Sequence, residues 1–171
     1  MKRRFISGIR RNRSGVASVE MALMIPVLFA FMFTTFEAGN YLWTEHKIIK
    51  ATRQGARYVA RLPFSSFNCA TGTVENATML AQVKTTMRTG SPTGAGSIKV
   101  RGWTDSDISI TVSCISNSSL GTDKGLYTSK GSAPVVTVSS RVKYPAIVGL
   151  LGFDTSNTFV RSQAQAAVTG L

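Results

Sequence analysis

One stretch limits what this chain can fold into more than any other. Val16 to Phe36 is almost wholly apolar over twenty-one residues and carries a single charge, Glu20. At ~1.5 Å per residue a helix of that length spans ~30 Å, the thickness of a bilayer's hydrocarbon core. A buried core helix of the same composition needs a large protein around it, and 171 residues cannot supply one. The segment therefore reads as a single membrane span, and the remaining length accommodates one compact domain.

The charge distribution gives the span a direction. The net charge of +12 would raise nucleic acid as a partner, but Lys2, Arg3, Arg4, Arg10, Arg11 and Arg13 lie together before the apolar run with no acid among them. Basic residues flanking a span stay on the cytoplasmic side, which places residues 37–171 outside. Nucleic acid is then not an expected partner. The h-region is too long for an ordinary secretory signal, Leu28-Phe29-Ala30 and Phe36-Glu37-Ala38 are poor cleavage sites, and no cysteine follows at lipoprotein distance. An uncleaved anchor, or one cut on its cytoplasmic side, fits the pattern.

Glu20 is costly where it stands, since a carboxylate in a membrane helix opposes insertion by roughly 2.5 to 3.5 kcal/mol. Two compensations are open. Glu20 can reach the cytoplasmic interface or the Arg11 and Arg13 side chains, or it can serve an assembly. Gly15-Val-Ala-Ser-Val-Glu20, following a basic leader, resembles the processing site of type IV prepilins, where a membrane peptidase cuts after the glycine. The resemblance implies a cut between Gly15 and Val16 and a new α-amino group at Val16. It also implies a role for Glu20 in neutralising the amino terminus of a neighbouring subunit.

The helix continues past the membrane, because no proline intervenes from Ala38 to Arg61 and Pro63 then stops it. Tyr41, Leu42, Ile48, Ile49, Thr52, Ala56, Val59 and Ala60 fall on one side, which predicts packing on the domain. Lys47, Lys50, Arg53, Arg57 and Arg61 fall on another, a solvated basic face by default. Within this part, Ala51-Thr-Arg53-Gln-Gly55-Ala56-Arg57-Tyr58 is similar to the stretch after the membrane helix of TadE-like proteins. Those are minor pilins or pseudopilins of tight-adherence (Flp) pilus systems. With Gly15 to Glu20 and Pro26, the resemblance covers residues 10–61; Met21 stands where Flp-type pilins commonly have tyrosine.

Beyond Pro63 the pattern predicts a small mixed domain. Val74 to Arg88 has apolar residues at helical spacing, with Thr73 as its N-cap and Gly90 beyond its end. Ile98 to Arg101 is expected to open a strand. Ile108, Ile110, Val112 and Cys114 alternate with polar residues, as do Val136, Val138, Val142 and Tyr144, and Thr158 to Val168 closes the series. Antiparallel pairing is the economical arrangement. The apolar run 146–153 is too short to span a bilayer and is expected to be a buried connection, a lipid- or partner-touching loop being the other reading. Cys69 and Cys114 both fall on the oxidising side, which predicts a disulfide.

The expected fold class is α+β: a long transmembrane helix continuing as an amphipathic stem, packed on a small antiparallel sheet with one short extra helix. Its parts are a basic leader (1–15), the span (16–36), the stem (37–63) and the outer domain (64–171). No catalytic constellation, metal site or cofactor site is legible. His46 is alone, and Asp105-Ser-Asp107 lacks the further ligands of a calcium loop and reads as a turn. The resemblance implies a non-catalytic subunit of the bacterial inner membrane. Its implied partners are the membrane, a prepilin peptidase and other pilin and assembly subunits. A binding module touching DNA or anionic lipid through the basic helix face is the alternative.

Overall fold

The computed structural model describes residues 14–122 and 124–170. The basic leader, apart from Ser14 and Gly15, lies outside the described residues. The first element, α1, runs unbroken from Ser14 to Ala60. Its sequence favours this, being rich in Ala, Leu and Met and free of adjacent breakers. Its last turn tightens through Arg61 N–H to Tyr58 O and Leu62 N–H to Val59 O, and Pro63, which cannot continue the ladder, follows. The chain divides into two compact units, one ending at Gly39 and the other comprising Asn40–Leu171.

In the second unit the apolar side of α1 is a core wall. Ile48, Ala51, Thr52, Ala56 and Val59 are buried. They share the core with one face of a three-stranded antiparallel sheet, β3 (Ile108–Ser116), β4 (Ser132–Lys143) and β5 (Phe159–Ala167), in the order β3-β4-β5. Ile108, Val112, Val136, Val138, Val142 and Val160 point inward, as alternation predicts for a sheet covered on one face. One polar contact is buried among them: Thr52 donates its hydroxyl to Ile48 O at 2.8 Å and lies 3.2 Å from Ser140 Oγ. Leu42, assigned to this packing side, is instead 55 % exposed. The unit's first turn is closed by the neighbouring Tyr41, whose ring meets Tyr144 edge-on at 5.2 Å.

The remaining elements fill the sides. A two-stranded ladder, β1 (Phe67–Asn68) with β2 (Thr73–Val74), precedes α2 (Ala77–Thr89). The expected start of that helix is corrected. Thr73 pairs with Asn68 in the ladder, and the N-cap is Asn76, whose Oδ1 accepts the Met79 N–H at 3.0 Å. Asn68 explains the difference by accepting from Ala70 N and Thr71 N, which turns the chain too early for Thr73 to cap a helix. The helix ends at Gly90, which takes the left-handed conformation (φ 85°). Replacing Asn76 with alanine should lower the stability of this unit by about 1 kcal/mol, read as a shift in the denaturation midpoint of the detergent-solubilised chain.

Two other expectations are overturned. Ile98 to Arg101 forms no strand: Lys99 N–H is taken by Arg88 O at 2.8 Å, and Gly102 (φ 79°) turns the chain. The segment buries Val100 and Trp103 instead. The apolar run 146–153 is not a buried connection, for Ile147 and Phe153 are 42 % and 66 % exposed around a short turn of 3-10 helix at Val148–Leu151. Tyr144 is buried at that end of the core, its hydroxyl accepting from Asn40 Nδ2 at 2.9 Å, and of the run after it Ala146 packs against the core while Ile147 and Phe153 face outward.

Candidate functional site on the long helix

Among the described residues the first unit is one apolar helix, with no other element packed on it. Its most hydrophobic window has no buried residue, and Val19, Leu23, Leu28, Phe31 and Phe36 are all exposed. Each large side chain left in water forgoes roughly 1.5 to 3 kcal/mol, so such a surface belongs in lipid or against other helices. The alternative of a soluble core helix requires burial that is not there. The helix is consistent with single-pass membrane anchoring. Its two threonines fit the same surroundings, because Thr34 and Thr35 each return the hydroxyl proton to the carbonyl one turn back, Ala30 O and Phe31 O, at 2.8 Å.

Pro26 marks a groove on this helix. It has no N–H to give the carbonyl of Ala22, yet the helix passes through it. Beside it, Pro26, Val27, Ala30, Phe31 and Thr34 outline a shallow groove of about 460 Å³. Small residues at such a place let a second helix approach closely. Glu20 shares the stripe with Leu23, Val27, Phe31 and Thr34 by helical spacing and is itself exposed. Gly15 and Val16 lie in the first turn. A Cβ added at Gly15 would meet no atom within 4 Å, and Gly15 has no positive φ, so neither packing nor backbone conformation requires glycine there.

In the second unit the same helix presents the basic face. Lys50, Arg53, Arg57 and Arg61 are exposed, and Lys47 is half-buried with its ammonium 5.4 Å from the Trp43 ring centroid. No ion pair joins any of the five among the described residues. Arg57 and Arg61 edge a hollow of about 510 Å³ shared with Tyr58 and Met79. Lys99 nearby has its pKa lowered by burial and reaches Gln54 Oε1 at 3.5 Å. The small residues between these cations have a packing reason: a Cβ at Gly55 would run into Met87 Sδ of α2, so Gly55 lets the two helices come together.

Cys69 and Cys114 form a disulfide, with Cα atoms 5.6 Å apart. It ties the turn after β1 to β3, beside the hydrogen bond from Val112 N–H to Gly72 O at 2.9 Å. Among the described residues no group of His, Cys, Asp and Glu is arranged to hold a metal ion. Asp105–Asp107 is a 3-10 turn leading into β3, as read from sequence, and Asp105 pairs with Arg88 at 2.7 Å. Sequence reasoning missed Asn40 and Trp103. A lone amide directly after Gly39 was the available signal for the first, and an isolated aromatic beside a glycine turn for the second.

Comparison with known proteins points to the same helix. The family model described as TadE-like protein matches residues 15–57. The match takes in Gly15, Val16, Glu20 and the basic face as far as Arg57, and it stops before Arg61 and both cysteines. Neither the curated proteins nor the solved structures contain a match to the chain.

Proposed function

We propose that this TadE-like chain is a minor pilin or pseudopilin that takes part in the assembly of a tight-adherence pilus, with α1 as its docking helix and no chemistry of its own. The observation that carries this reading is that the family match lies on a helix whose apolar surface is exposed along the span. A helix in lipid gains little from hydrophobicity when it meets another helix, since the lipid tails are equally apolar. Association then depends on close packing and on polar pairs. The groove at Pro26 and Ala30 supplies the first. Glu20, paired with the α-amino group that cleavage would create at Val16 of a neighbour, supplies the second.

The reading also assigns a topology. The basic leader stays in the cytoplasm and the Asn40–Leu171 unit lies outside the inner membrane, where the Cys69–Cys114 bond is stable against reduction. Maturation provides the experiment. In cells containing a prepilin peptidase, the membrane-extracted chain should begin at Val16 by intact mass and N-terminal sequencing. A Gly15→Leu variant should retain the leader, although Gly15 has room for a side chain and the helix should tolerate it. A wild-type chain beginning at Met1 in such cells would count against pilin-type maturation.

A further inference from the structure

The outward face of the sheet holds an unneutralised charge pair. Arg141 of β4 and Arg161 of β5 are directly opposite in register, and both are exposed. The ladder bonds from Val168 N–H to Pro134 O and from Tyr144 N–H to Thr158 O fall on the even-numbered residues. Arg141 and Arg161 therefore form one of the pairs without ladder bonds, in which Cα atoms approach to about 4.5 Å and side chains come closest. Like charges so placed destabilise a sheet. Arg141 is held there by the Phe159 ring, its Cζ 4.2 Å from the ring centroid.

No acid among the described residues answers the pair. Among the described residues Arg88 and Asp105 form an ion pair, elsewhere in the unit. Asp107 borders the hollow beside the two arginines but forms no ion pair with either, its Oδ2 being turned to Thr104 N and Thr104 Oγ1, each at 2.7 Å. Asp154 is associated with Lys143: its pKa is lowered by the Ser156 backbone and side-chain hydrogen bonds, with a smaller contribution from the Lys143 charge. The hollow of about 780 Å³ beside the arginines is floored by hydroxyls and an amide, from Ser109, Ser139 and Gln163.

The geometry points to an acidic saccharide as the ligand of this face, with a uronate carboxylate held between Arg141 and Arg161 and sugar hydroxyls met by Ser109, Ser139 and Gln163. Two arginines directly opposite in register are close enough for both side chains to reach one carboxylate, and their mutual repulsion is relieved when it binds. A docking polypeptide needs apolar anchors at the centre of its contact, and here the centre is serine, arginine and glutamine. Single-stranded nucleic acid needs open aromatic platforms, whereas the ring of Phe159 is stacked beneath a guanidinium.

The test uses the full chain in neutral-detergent micelles. It is titrated calorimetrically with a short oligogalacturonate, a neutral malto-oligosaccharide of equal length, and oligoglutamate of equal charge. The oligogalacturonate should bind, and more weakly as salt rises, while the other two should not. Arg141→Gln and Arg161→Gln should each weaken binding at least about tenfold, the scale of one lost charge-assisted contact. Arg161→Gln should melt at an unchanged or higher temperature, because the repulsion is gone while the contact of Arg141 with the Phe159 ring is kept. Absence of oligogalacturonate binding, or equal binding by the double variant, would overturn the proposal. Equally tight oligoglutamate would make an acidic polypeptide the occupant and overturn it too, and a lowered melting temperature of Arg161→Gln would show that the pair is already satisfied and overturn it as well.

Discussion

Converting Cys69 and Cys114 to serine should destabilise the Asn40–Leu171 unit by about 4 kcal/mol, the chain-entropy value for a closed loop of this size. The two cysteines are 45 residues apart in sequence, and the segment between them holds β2, α2 and the Trp103 turn. Without the bond, the turn at Cys69 is joined to β3 chiefly through β2, a strand of two residues that cannot persist alone. The loss should be felt across the loop and not at one corner. Denaturant titration of the solubilised chain in a Trp43→Phe background, followed by the emission of the buried Trp103, would measure it. A change in unfolding free energy below about 1 kcal/mol would mean that the unfolded chain is already confined, or that native strain cancels the gain.

The features legible in the sequence are those written into neighbouring residues. The span, its continuation to Ala60 and the stop near Pro63 follow from periodicity and one imino acid. The three main strands follow from alternation, and the register that burial imposes on them agrees with it. The errors have a common origin in competition from distant parts of the chain. Ile98 to Arg101 has strand composition, but its backbone bonds to the end of α2. The run 146–153 is apolar, but beyond Ala146 the core wall is taken by Tyr144, which Asn40 holds, and Ile147 and Phe153 are left exposed. Leu42 follows the helical stripe, but Tyr41 takes the contact at that end of the core.

The same distinction separates the two candidate sites. Gly15, Val16 and Glu20 occupy consecutive turns of one helix, so their spacing is readable without any fold. Arg141 and Arg161 belong to different strands, and their juxtaposition depends on a register that no local pattern announces. The disulfide lies between these cases. Compartment and cysteine count foretold it, while the position of the turn after β1 beside β3 explains why the two sulfurs can meet.

Glu20→Ala should leave insertion intact and remove assembly. The substitution relieves the helix of a group that opposes insertion by roughly 2.5 to 3.5 kcal/mol, so the amount of chain recovered from membranes should stay level or rise. If the carboxylate answers a neighbour's α-amino group in lipid, its loss leaves that charge alone where it cannot be hydrated. Breaking one member of a buried pair costs about 3 to 5 kcal/mol, which corresponds to a fall in incorporation of at least about a hundredfold. Glu20→Gln should recover little, because an amide keeps the shape of the side chain but not the charge. Both variants must first be shown to start at Val16, so that a processing defect is not read as an assembly defect. Sheared pili from cells expressing each variant would then be probed for the chain. Wild-type amounts in the Glu20→Ala pili would remove Glu20 from the mechanism and leave the Pro26 groove as the remaining basis for helix docking.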